Sequence, residues 1–328
     1  MRFSIIIPVH NAQATLKKCL DSIFNLDKGD FEVIVVDDKS TDKSKTIAEE
    51  YPCKIITLEK NAGAASARNT GKDNSAGEVI VFIDADVILK KDALQVIDED
   101  FKKYKDIVAI TGLLSDECPY DGFFSQYKNL YMNFIFRKCQ KYIEFLYGSI
   151  IAIKREDYLK FDKNIKCTDD TELGQRYKEL GKKILLEQKL EVVHLKEYDF
   201  FSIIRNDFLV PFWWTKSFIM HRGYEDIYQK RRFSHAKMDQ IMSILISFLF
   251  IAALPFIQHT WAKIASITLA ILFFYLNAKF FAFIYRKKGL TFMMKSIAFT
   301  SLDMIIMGCG IIAGFIYHAK TSKNKPKR

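Results

Sequence analysis

Three apolar runs in the first half of the chain end in polar or acidic side chains. The run at 79–83 is followed by Asp84-Ala85-Asp86, the run at 33–36 by Asp37-Asp38, and the first run by His10-Asn11. Carboxylates gathered at one place are unfavourable unless a cation or hydrogen-bond donors compensate them. A divalent metal with a diphosphate would do so. The pattern therefore indicates a site for a metal and a phosphate-containing ligand.

The elements around these residues predict how they come together. Strand-like runs alternate with helical stretches through the first 110 residues, which indicates a parallel sheet with right-handed crossovers. Ligands of such sheets bind at the carboxyl ends of the strands, where the acidic residues lie. The expected strands are 3–9, 32–36, 54–58, 78–83 and 107–111, then 149–153 and 190–194, and the expected helices are 12–26, 43–50, 63–74, 91–104 and 170–180.

An ordered set of short motifs resembles the family 2 glycosyltransferases, whose catalytic domain has the GT-A fold. The set comprises Ile5-Ile6-Ile7-Pro8-Val9-His10-Asn11, Val35-Val36-Asp37-Asp38, Asn61-Ala62-Gly63 with Ala67-Arg68-Asn69, and Asp84-Ala85-Asp86. Each motif is weak alone, but together they cover about the first 115 residues in family order. The resemblance implies an α/β, doubly wound, mostly parallel sheet.

The resemblance also implies a donor site for a nucleotide-sugar. Asp84 and Asp86 are expected to hold Mg²⁺ or Mn²⁺ against the donor diphosphate, with His194 as a late ligand to the metal or phosphate. A histidine that ends a strand is as often structural, so that alternative stays open for His194.

Four further residues are expected on the donor side. The resemblance places Pro8 and Asn11 in the base and ribose pocket, and Asp38 as the acceptor of a hydrogen bond from the base. Arg68 is expected to contact the base or a phosphate, and the alternative is a surface arginine without a role.

The acceptor side is predicted from a second acidic motif. Asp169-Asp170-Thr171-Glu172-Leu173 resembles a family segment that opens a helix under the acceptor, with Asp169 in place of the usual Glu. Asp170 is then the general base that deprotonates the acceptor hydroxyl. The alternative is an acidic helix start favoured by the helix dipole. Gly148 resembles the small residue that lets the acceptor approach.

Charge and hydropathy divide the chain unevenly. Residues 201–328 hold 18 basic and 5 acidic residues, whereas the first 200 hold 31 and 34. The basic residues flank three apolar segments, 241–257, 264–285 and 296–317, each about long enough to span a bilayer. This pattern favours membrane lipids over nucleic acid as the partner of the basic residues. A buried helical hairpin of a soluble protein is the alternative.

These observations predict four parts. They are a GT-A domain at 1–198, an interfacial segment at 199–237 with Trp213-Trp214, a membrane domain at 238–318 and a basic tail at 319–328. Every apolar segment has basic flanks, so three full crossings would place the tail outside, against the positive-inside rule. The third segment therefore either breaks the rule, re-enters or lies in the interface.

The compartment follows from the amino-terminal sequence and the cysteines. The apolar run after Met1-Arg2 is too short for a cleaved signal, and the six scattered cysteines form no CxxC pair. We therefore expect an integral membrane protein with a cytoplasmic catalytic domain.

The expected activity is metal-dependent, inverting transfer of a sugar to a lipid-linked or membrane-proximal acceptor. The chain lacks the Gln-x-x-Arg-Trp motif of processive relatives, which favours transfer of single sugars. Alternatives are a tethered enzyme with a soluble acceptor, a non-catalytic membrane scaffold, and a nucleotidyltransferase, which would need a Gly-rich loop after the first strand. The sequence leaves the sugar, the nucleotide, the acceptor and the oligomeric state open.

Overall fold

The β-branched runs of the first half form buried strands in the computed structural model of the chain. The structure describes residues 2–27, 29–230, 232–234 and 236–323. Val79–Ile83 is buried at all five positions, and Ile107–Leu114 at all eight. Strands buried on both faces need a helical layer on each side of the sheet. The amphipathic stretches between the runs supply those helices, with Leu16, Leu20 and Ile23 buried on the first.

The chain divides into two compact units, Met1–Asp121 with Ile135–Glu197 and Gly122–Phe134 with Tyr198–Arg328. The strands of the first unit are β1 (Arg2–Val9), β2 (Asp30–Asp37), β3 (Lys54–Thr57), β4 (Val79–Ile83), β5 (Val87–Leu89), β6 (Ile107–Leu114), β7 (Tyr142–Ile143), β8 (Ile150–Lys154) and β9 (Lys183–His194). The helices are α1 (Leu16–Phe24), α2 (Ser44–Glu49), α3 (Ala64–Asp73), α4 (Ala93–Lys103), α5 (Phe123–Arg137), which begins in the second unit, and α6 (Asp169–Glu179).

The nine strands form one mixed sheet in the order β3-β2-β1-β4-β8-β6-β9-β5, with β7 beside β9. The half that carries the first four strands is parallel throughout. Strand β8 joins it antiparallel to both β4 and β6, and β6 continues parallel to β9. The predicted α/β fold with a mostly parallel sheet is confirmed, and its antiparallel pairs lie beyond β4.

Some elements are absent from the sequence prediction. Strand β5 has only three residues and follows the acidic motif directly, so no periodicity marks it. No helix is predicted between the strands at 107–111 and 149–153, yet Phe123–Arg137 forms the fifteen-residue α5. Strand β9 begins at Lys183, seven residues before the predicted start, because its polar middle hides the strand pattern.

The second unit is helical. Its remaining elements are α7 (Phe200–Met220), α8 (Gly223–Lys230), a two-stranded ribbon of β10 (Arg232–Phe233) and β11 (Ala236–Lys237), α9 (Met238–Ala253) and α10 (Thr260–Lys323). A capping box starts α7, in which Ser202 N donates to Asp199 Oδ1 at 2.7 Å and Asp199 N to Ser202 Oγ at 2.9 Å. Residues 324–328 of the predicted tail lie outside the described residues, and the boundaries of the four predicted parts stay predictions.

Two helical stretches are long and apolar enough to cross a membrane, Met238–Phe256 and Thr260–His318. The second contains both the 264–285 and the 296–317 segments. Gly289 interrupts this helix with a φ of 81° and a ψ of −177°, a backbone conformation that residues other than glycine rarely adopt. The helix α10 therefore consists of two halves that meet at Gly289.

Candidate active site

The parallel half of the sheet brings the predicted donor residues to one edge. Strand β1 pairs with β2 so that Val9 lies opposite Asp37, and β1 also pairs with β4 through Ile6 and Phe82. The carboxyl ends of these three neighbouring strands therefore meet, and the residues that follow them share one edge. Their functions as donor-binding residues stay predictions.

Asp38 organises the loops of this edge. Its Oδ1 accepts from Ala62 N at 2.6 Å and its Oδ2 from Gly63 N at 2.7 Å, and the residue is 3% exposed. The carbonyl oxygen of Asp38 lies 2.9 Å from His10 Nδ1. The carboxylate thus fixes the turn that leads into α3, which adds a structural function to the predicted contact with a base.

The Asn11 side chain also holds a loop. Asn11 Oδ1 accepts from Thr41 N at 2.8 Å, and Asn11 N donates to Ser40 Oγ at 3.0 Å. The half-buried Pro8 precedes it in β1. These contacts draw the loops after β1 and β2 together, so the predicted base and ribose pocket is bordered by two mutually bonded loops.

Three residues other than glycine with positive φ values lie in or beside the loops of the predicted site. Asn11, Lys39 and Cys167 have φ values of 51°, 61° and 61°. Residues other than glycine avoid this left-handed region, and such strain persists only where surrounding contacts enforce it. The three positions adjoin the strand-end loops and the acidic start of α6, so the strain coincides with the predicted site.

Arg68 is neither a surface residue nor a free phosphate ligand in this structure. Its Nη2 donates to Asp84 Oδ1 at 2.8 Å and its Nη1 to Asp169 Oδ2 at 2.6 Å, with only 6% of the side chain exposed. Burial would lower the pKa of Arg68, but Asp169 and Asp84 outweigh it and raise the pKa. Arg68 therefore joins the donor-side motif to the acceptor-side motif.

The second aspartate of the strand-end motif has a different partner. Asp86 Oδ2 lies 3.4 Å from His194 Nε2, and Asp86 O accepts from Leu195 N at 2.6 Å. Antiparallel pairing of β5 with β9 places Val87 opposite His194 and so creates this contact. Burial acts to raise the pKa of Asp86, but the hydrogen bond and charge of His194 with the charge of Lys196 lower it.

These side chains suit a divalent cation that shares its ligands with a substrate. Carboxylate oxygens of Asp84 and Asp86 are ligands that Mg²⁺ or Mn²⁺ prefers, and the His194 imidazole suits Mn²⁺ better than Mg²⁺, which binds chiefly oxygen. Among the residues that the structure describes, no group of three His, Cys, Asp or Glu side chains encloses a metal site. The donor set therefore fits a cation that completes its shell with phosphate oxygens and water rather than a protein cage.

Asp170 lies across a small gap from Asp84. Gly148 N donates to Asp170 Oδ2 at 2.7 Å, and Thr171 N donates to Asp170 Oδ1 at 2.6 Å. A Cβ atom on Gly148 would lie 3.2 Å from Asp84 Oδ2, 3.2 Å from Arg68 Nη2 and 3.3 Å from Asp170 Oδ2. Gly148 thus marks the point at which the two carboxylates and the guanidinium converge.

The pKa values of the two carboxyl groups beside Gly148 are raised towards neutral pH. Burial raises the pKa of Asp170 to about 7, with Asp169 adding to the effect and Arg68 opposing it. Burial likewise raises the pKa of Asp84 to about 6, against the charge of Arg68. A carboxyl group with a pKa near the working pH is suited to general base catalysis.

Two neighbours of the site, Tyr147 and Lys196, are not among the residues predicted from the sequence. Tyr147 is close enough to Asp84, Asp86 and Asp170 for their charges to raise its pKa, although burial is the larger cause. Lys196 acts on the pKa of Asp86 from the segment after β9. Tyr147 directly precedes Gly148 and Lys196 follows His194 by two positions, so proximity to motif residues is the only signal in the sequence.

The family follows from comparison with known sequences. Residues 4–161 match the family described as glycosyl transferase family 2, and this stretch of the chain belongs to that family. A mannosyltransferase from Pyrobaculum calidifontis, solved with GDP-Man and Mn²⁺, aligns with a TM-score of 0.56 over 97% of this chain and 86% of that chain. Sequence identity is 17%, so this likeness shows the GT-A fold alone.

Two curated relatives extend the comparison. Glycosyltransferase GlyA of Streptococcus pneumoniae is 29% identical over 206 residues, which cover 57% of this chain and 30% of that protein. The poly(ribitol-phosphate) beta-glucosyltransferase of Bacillus spizizenii is 38% identical over 102 residues, 29% of this chain and 16% of that protein. The chain thus matches 30% or less of the length of these relatives.

Proposed function

We propose that this chain transfers a sugar, with inversion, from a nucleotide-sugar to an acceptor at the membrane and that a divalent cation is required. The convergence at Gly148 is the observation that carries the proposal. A donor-side carboxylate and a carboxylate with a raised pKa both approach a position where the chain has no side chain. An acceptor hydroxyl placed there would meet Asp170 while the anomeric carbon faces it from the Asp84 side.

In this mechanism Asp170 accepts the proton of the acceptor hydroxyl as the oxygen attacks the anomeric carbon. The backbone N–H groups of Gly148 and Thr171 hold the carboxylate in place without neutralising it. A single displacement of this kind inverts the anomeric configuration. A product with retained configuration would contradict it.

On the donor side, Asp84, Asp86 and His194 would hold the cation, which would supply positive charge to neutralise the diphosphate leaving group. Arg68 keeps Asp84 and Asp169 in fixed positions on opposite sides of the reacting centre. Pro8, Asn11 and Asp38 form the wall of the base and ribose pocket, and Asp38 does so largely by fixing the turn at Ala62 and Gly63.

The acceptor class is proposed from the helical unit and the relatives. One relative acts, by its name, on poly(ribitol-phosphate), a polyol-phosphate polymer. This chain adds two helical stretches of membrane-spanning length and composition. A lipid-linked glycan or polyprenyl phosphate therefore agrees with the chain better than a freely soluble acceptor, in a cell-envelope polymer pathway.

The acceptor proposal can be tested with the full-length protein in lipid nanodiscs. A truncated domain is unsuitable because Tyr127 of α5 packs on Phe280 and Phe299 of α10, at ring distances of 5.9 and 4.9 Å. We expect a panel of labelled nucleotide-sugars with Mn²⁺ to yield one active donor. Transfer to a lipid-linked acceptor in the disc should exceed transfer to a water-soluble polyol-phosphate by at least about tenfold, because sharing one bilayer raises the effective concentration. Equal rates would support the tethered enzyme with a soluble acceptor.

The pH dependence gives an independent test of Asp170. Only the ionised carboxylate can accept a proton, so kcat/KM should fall about tenfold per pH unit below a pKa near 7 and level off above it. Rates measured from pH 5 to 9 at saturating Mn²⁺ would show this acid limb. A flat profile down to pH 5 would contradict the assignment of a carboxyl base with a raised pKa.

A further inference from the structure

The contacts within the helical unit indicate which of its apolar segments cross the bilayer. This inference rests on the proposed function, which places the helical unit in a membrane. Sequence alone leaves the third segment, 296–317, undecided. It forms the second half of α10, beyond the break at Gly289. The positions of its neighbours along the chain decide the question.

The helix α5 marks the catalytic side of the bilayer. Residues 122–134 belong to the helical unit, but the chain enters them from Asp121 and leaves them to Ile135, both in the catalytic unit. A thirteen-residue excursion with both ends in one soluble unit cannot cross a bilayer and return, since a single crossing needs about 20 helical residues. Any residue in contact with this part of α5 therefore lies near the catalytic side.

The α9–α10 hairpin starts and ends at α5. At the start of α9, Gln240 Nε2 donates to Tyr131 Oη at 2.9 Å. The returning helix pairs with α9 through Asn277 Nδ2 and Ser243 Oγ at 3.0 Å, and Phe280 then packs on Tyr131 with ring centroids 5.3 Å apart. Between these points α9 and the first half of α10 lead away from α5 and come back, as two crossings do.

The third segment begins at the same place. Phe292 packs on Phe123 at 4.9 Å, and Thr300 Oγ1 lies 3.0 Å from Tyr127 Oη. Asp303, which is 1% exposed, accepts a 3.5 Å hydrogen bond from Tyr127 Oη. The first three turns of α10 after Gly289 therefore still lie beside α5. The one acidic residue of the third segment, Asp303, faces protein rather than lipid.

The rest of the third segment lies along α7. A Cβ on Gly310 would meet Phe208 O at 2.3 Å, and one on Gly314 would meet Phe212 O at 2.5 Å, so the two helices touch backbone to backbone. Lys128 of α5 forms an ion pair with Asp207, which keeps α7 near α5. The chain is back at α5 by Gln240, and the eight-residue α8 is too short to return across a bilayer. Helix α7 therefore does not cross, and a helix that lies along it shares its depth.

We propose that the chain crosses the membrane twice, through α9 and the first half of α10, and that the third apolar segment lies beside α7 without crossing. The carboxyl-terminal tail then returns to the catalytic side. The basic clusters at 216–237, 286–295 and 320–328 all fall on that side, in agreement with the positive-inside rule. On that side, their positive charges would attract the anionic headgroups of the catalytic-side leaflet.

An epitope mapped in oriented vesicles tests this topology. The same epitope is placed after Arg328 in one form of the full-length protein and between Gln258 and His259 in another. In right-side-out vesicles, an impermeant protease should remove only the 258–259 epitope, and in inverted vesicles only the carboxyl-terminal one. Removal of the carboxyl-terminal epitope from the outside would establish a third crossing and overturn the proposal.

The unmodified protein provides a second measurement that does not depend on tolerance of the epitopes. Trypsin should cut at Arg286, Lys287 or Lys288 and in the tail only in inverted vesicles, as read by mass spectrometry. Cutting of the tail from the outside, or a 258–259 epitope that is never reached from the outside, would each contradict two crossings. Sugar transfer assayed in the same vesicles reports on the proposed function separately, because it can persist whichever topology is found.

Discussion

Replacement of Asp170 by Asn is expected to lower the transfer rate at least about a hundredfold while leaving donor affinity close to that of the wild type. The amide is nearly isosteric and removes the proton acceptor, but its nitrogen cannot accept one of the two backbone hydrogen bonds that the carboxylate accepts. Asp170 has no hydrogen bond to Asp84 or Arg68 in this structure, and its bonds run to backbone N–H groups of Gly148 and Thr171. Single-turnover transfer and donor binding should be measured on the same preparation.

Stability separates this loss from misfolding. A carboxyl group whose pKa is raised by folding lowers the free energy of unfolding once it is ionised. For Asp170 this loss grows as the pH rises from the pKa of the unfolded chain to about 7, and it is complete above that pH. The uncharged Asp170→Asn variant avoids this penalty but loses one backbone hydrogen bond, so its melting temperature at pH 8 should stay close to that of the wild type. Glu179→Gln, which removes an exposed carboxylate at the other end of α6, is the matched control and should retain activity. A transfer rate within threefold of the wild type would exclude Asp170 as the base.

The strand-end motifs are predictable from sequence because the geometry of parallel strands determines where they lie. Residues that follow parallel neighbouring strands must meet at the same edge, so Asn11, Asp38 and Asp84 come together once the strands are recognised. The strands themselves are continuous β-branched runs, which local sequence marks clearly. The fold and the donor side of the site follow from these local signals.

The position of Arg68 could not be read in the same way. Its two partners, Asp84 and Asp169, are 16 and 101 residues away along the chain. Local sequence places Arg68 on a helix but gives no information about which distant carboxylates pack against that helix face. The sequence therefore left a ligand contact and a surface residue equally open, and the structure shows a buried link between two acidic motifs.

The helical unit illustrates the same limit. Hydropathy predicts the apolar segments, which fall in α9 and α10, because composition largely decides whether a helix tolerates lipid. It cannot show that Gly310 and Gly314 touch the backbone of α7, since glycines occur in lipid-facing and packed helices alike. Helix α5 was missed for a related reason: its interleaved polar and aromatic residues face several different neighbours, which weakens the amphipathic period.

Loss of the Asp86 carboxylate is the second change for which we expect a large effect. One oxygen of Asp84 already accepts a hydrogen bond from Arg68 in an ion pair, whereas the Asp86 carboxylate lies 3.4 Å from the His194 imidazole. Asp86 is therefore the carboxylate with more freedom to bind a cation together with the donor diphosphate. Asp86→Asn should lower kcat/KM by about a hundredfold or more, comparable to the loss of a main electrostatic stabiliser of a leaving group.

The metal response should distinguish this cause from a structural one. In the wild type, Mn²⁺ should tighten binding of the nucleotide-sugar, and the nucleotide-sugar should tighten binding of Mn²⁺ by the same factor, because the cation and the donor diphosphate would bind each other in the site. Asp86→Asn should weaken this mutual effect, and His194→Gln should weaken it less because imidazole contributes no net negative charge. Asp92→Asn, an exposed carboxylate at the start of α4, is the control and should keep the wild-type Mn²⁺ titration. Full turnover of Asp86→Asn in the presence of EDTA would show that this aspartate holds no cation, and the donor diphosphate would then have to be neutralised by basic side chains such as Lys196.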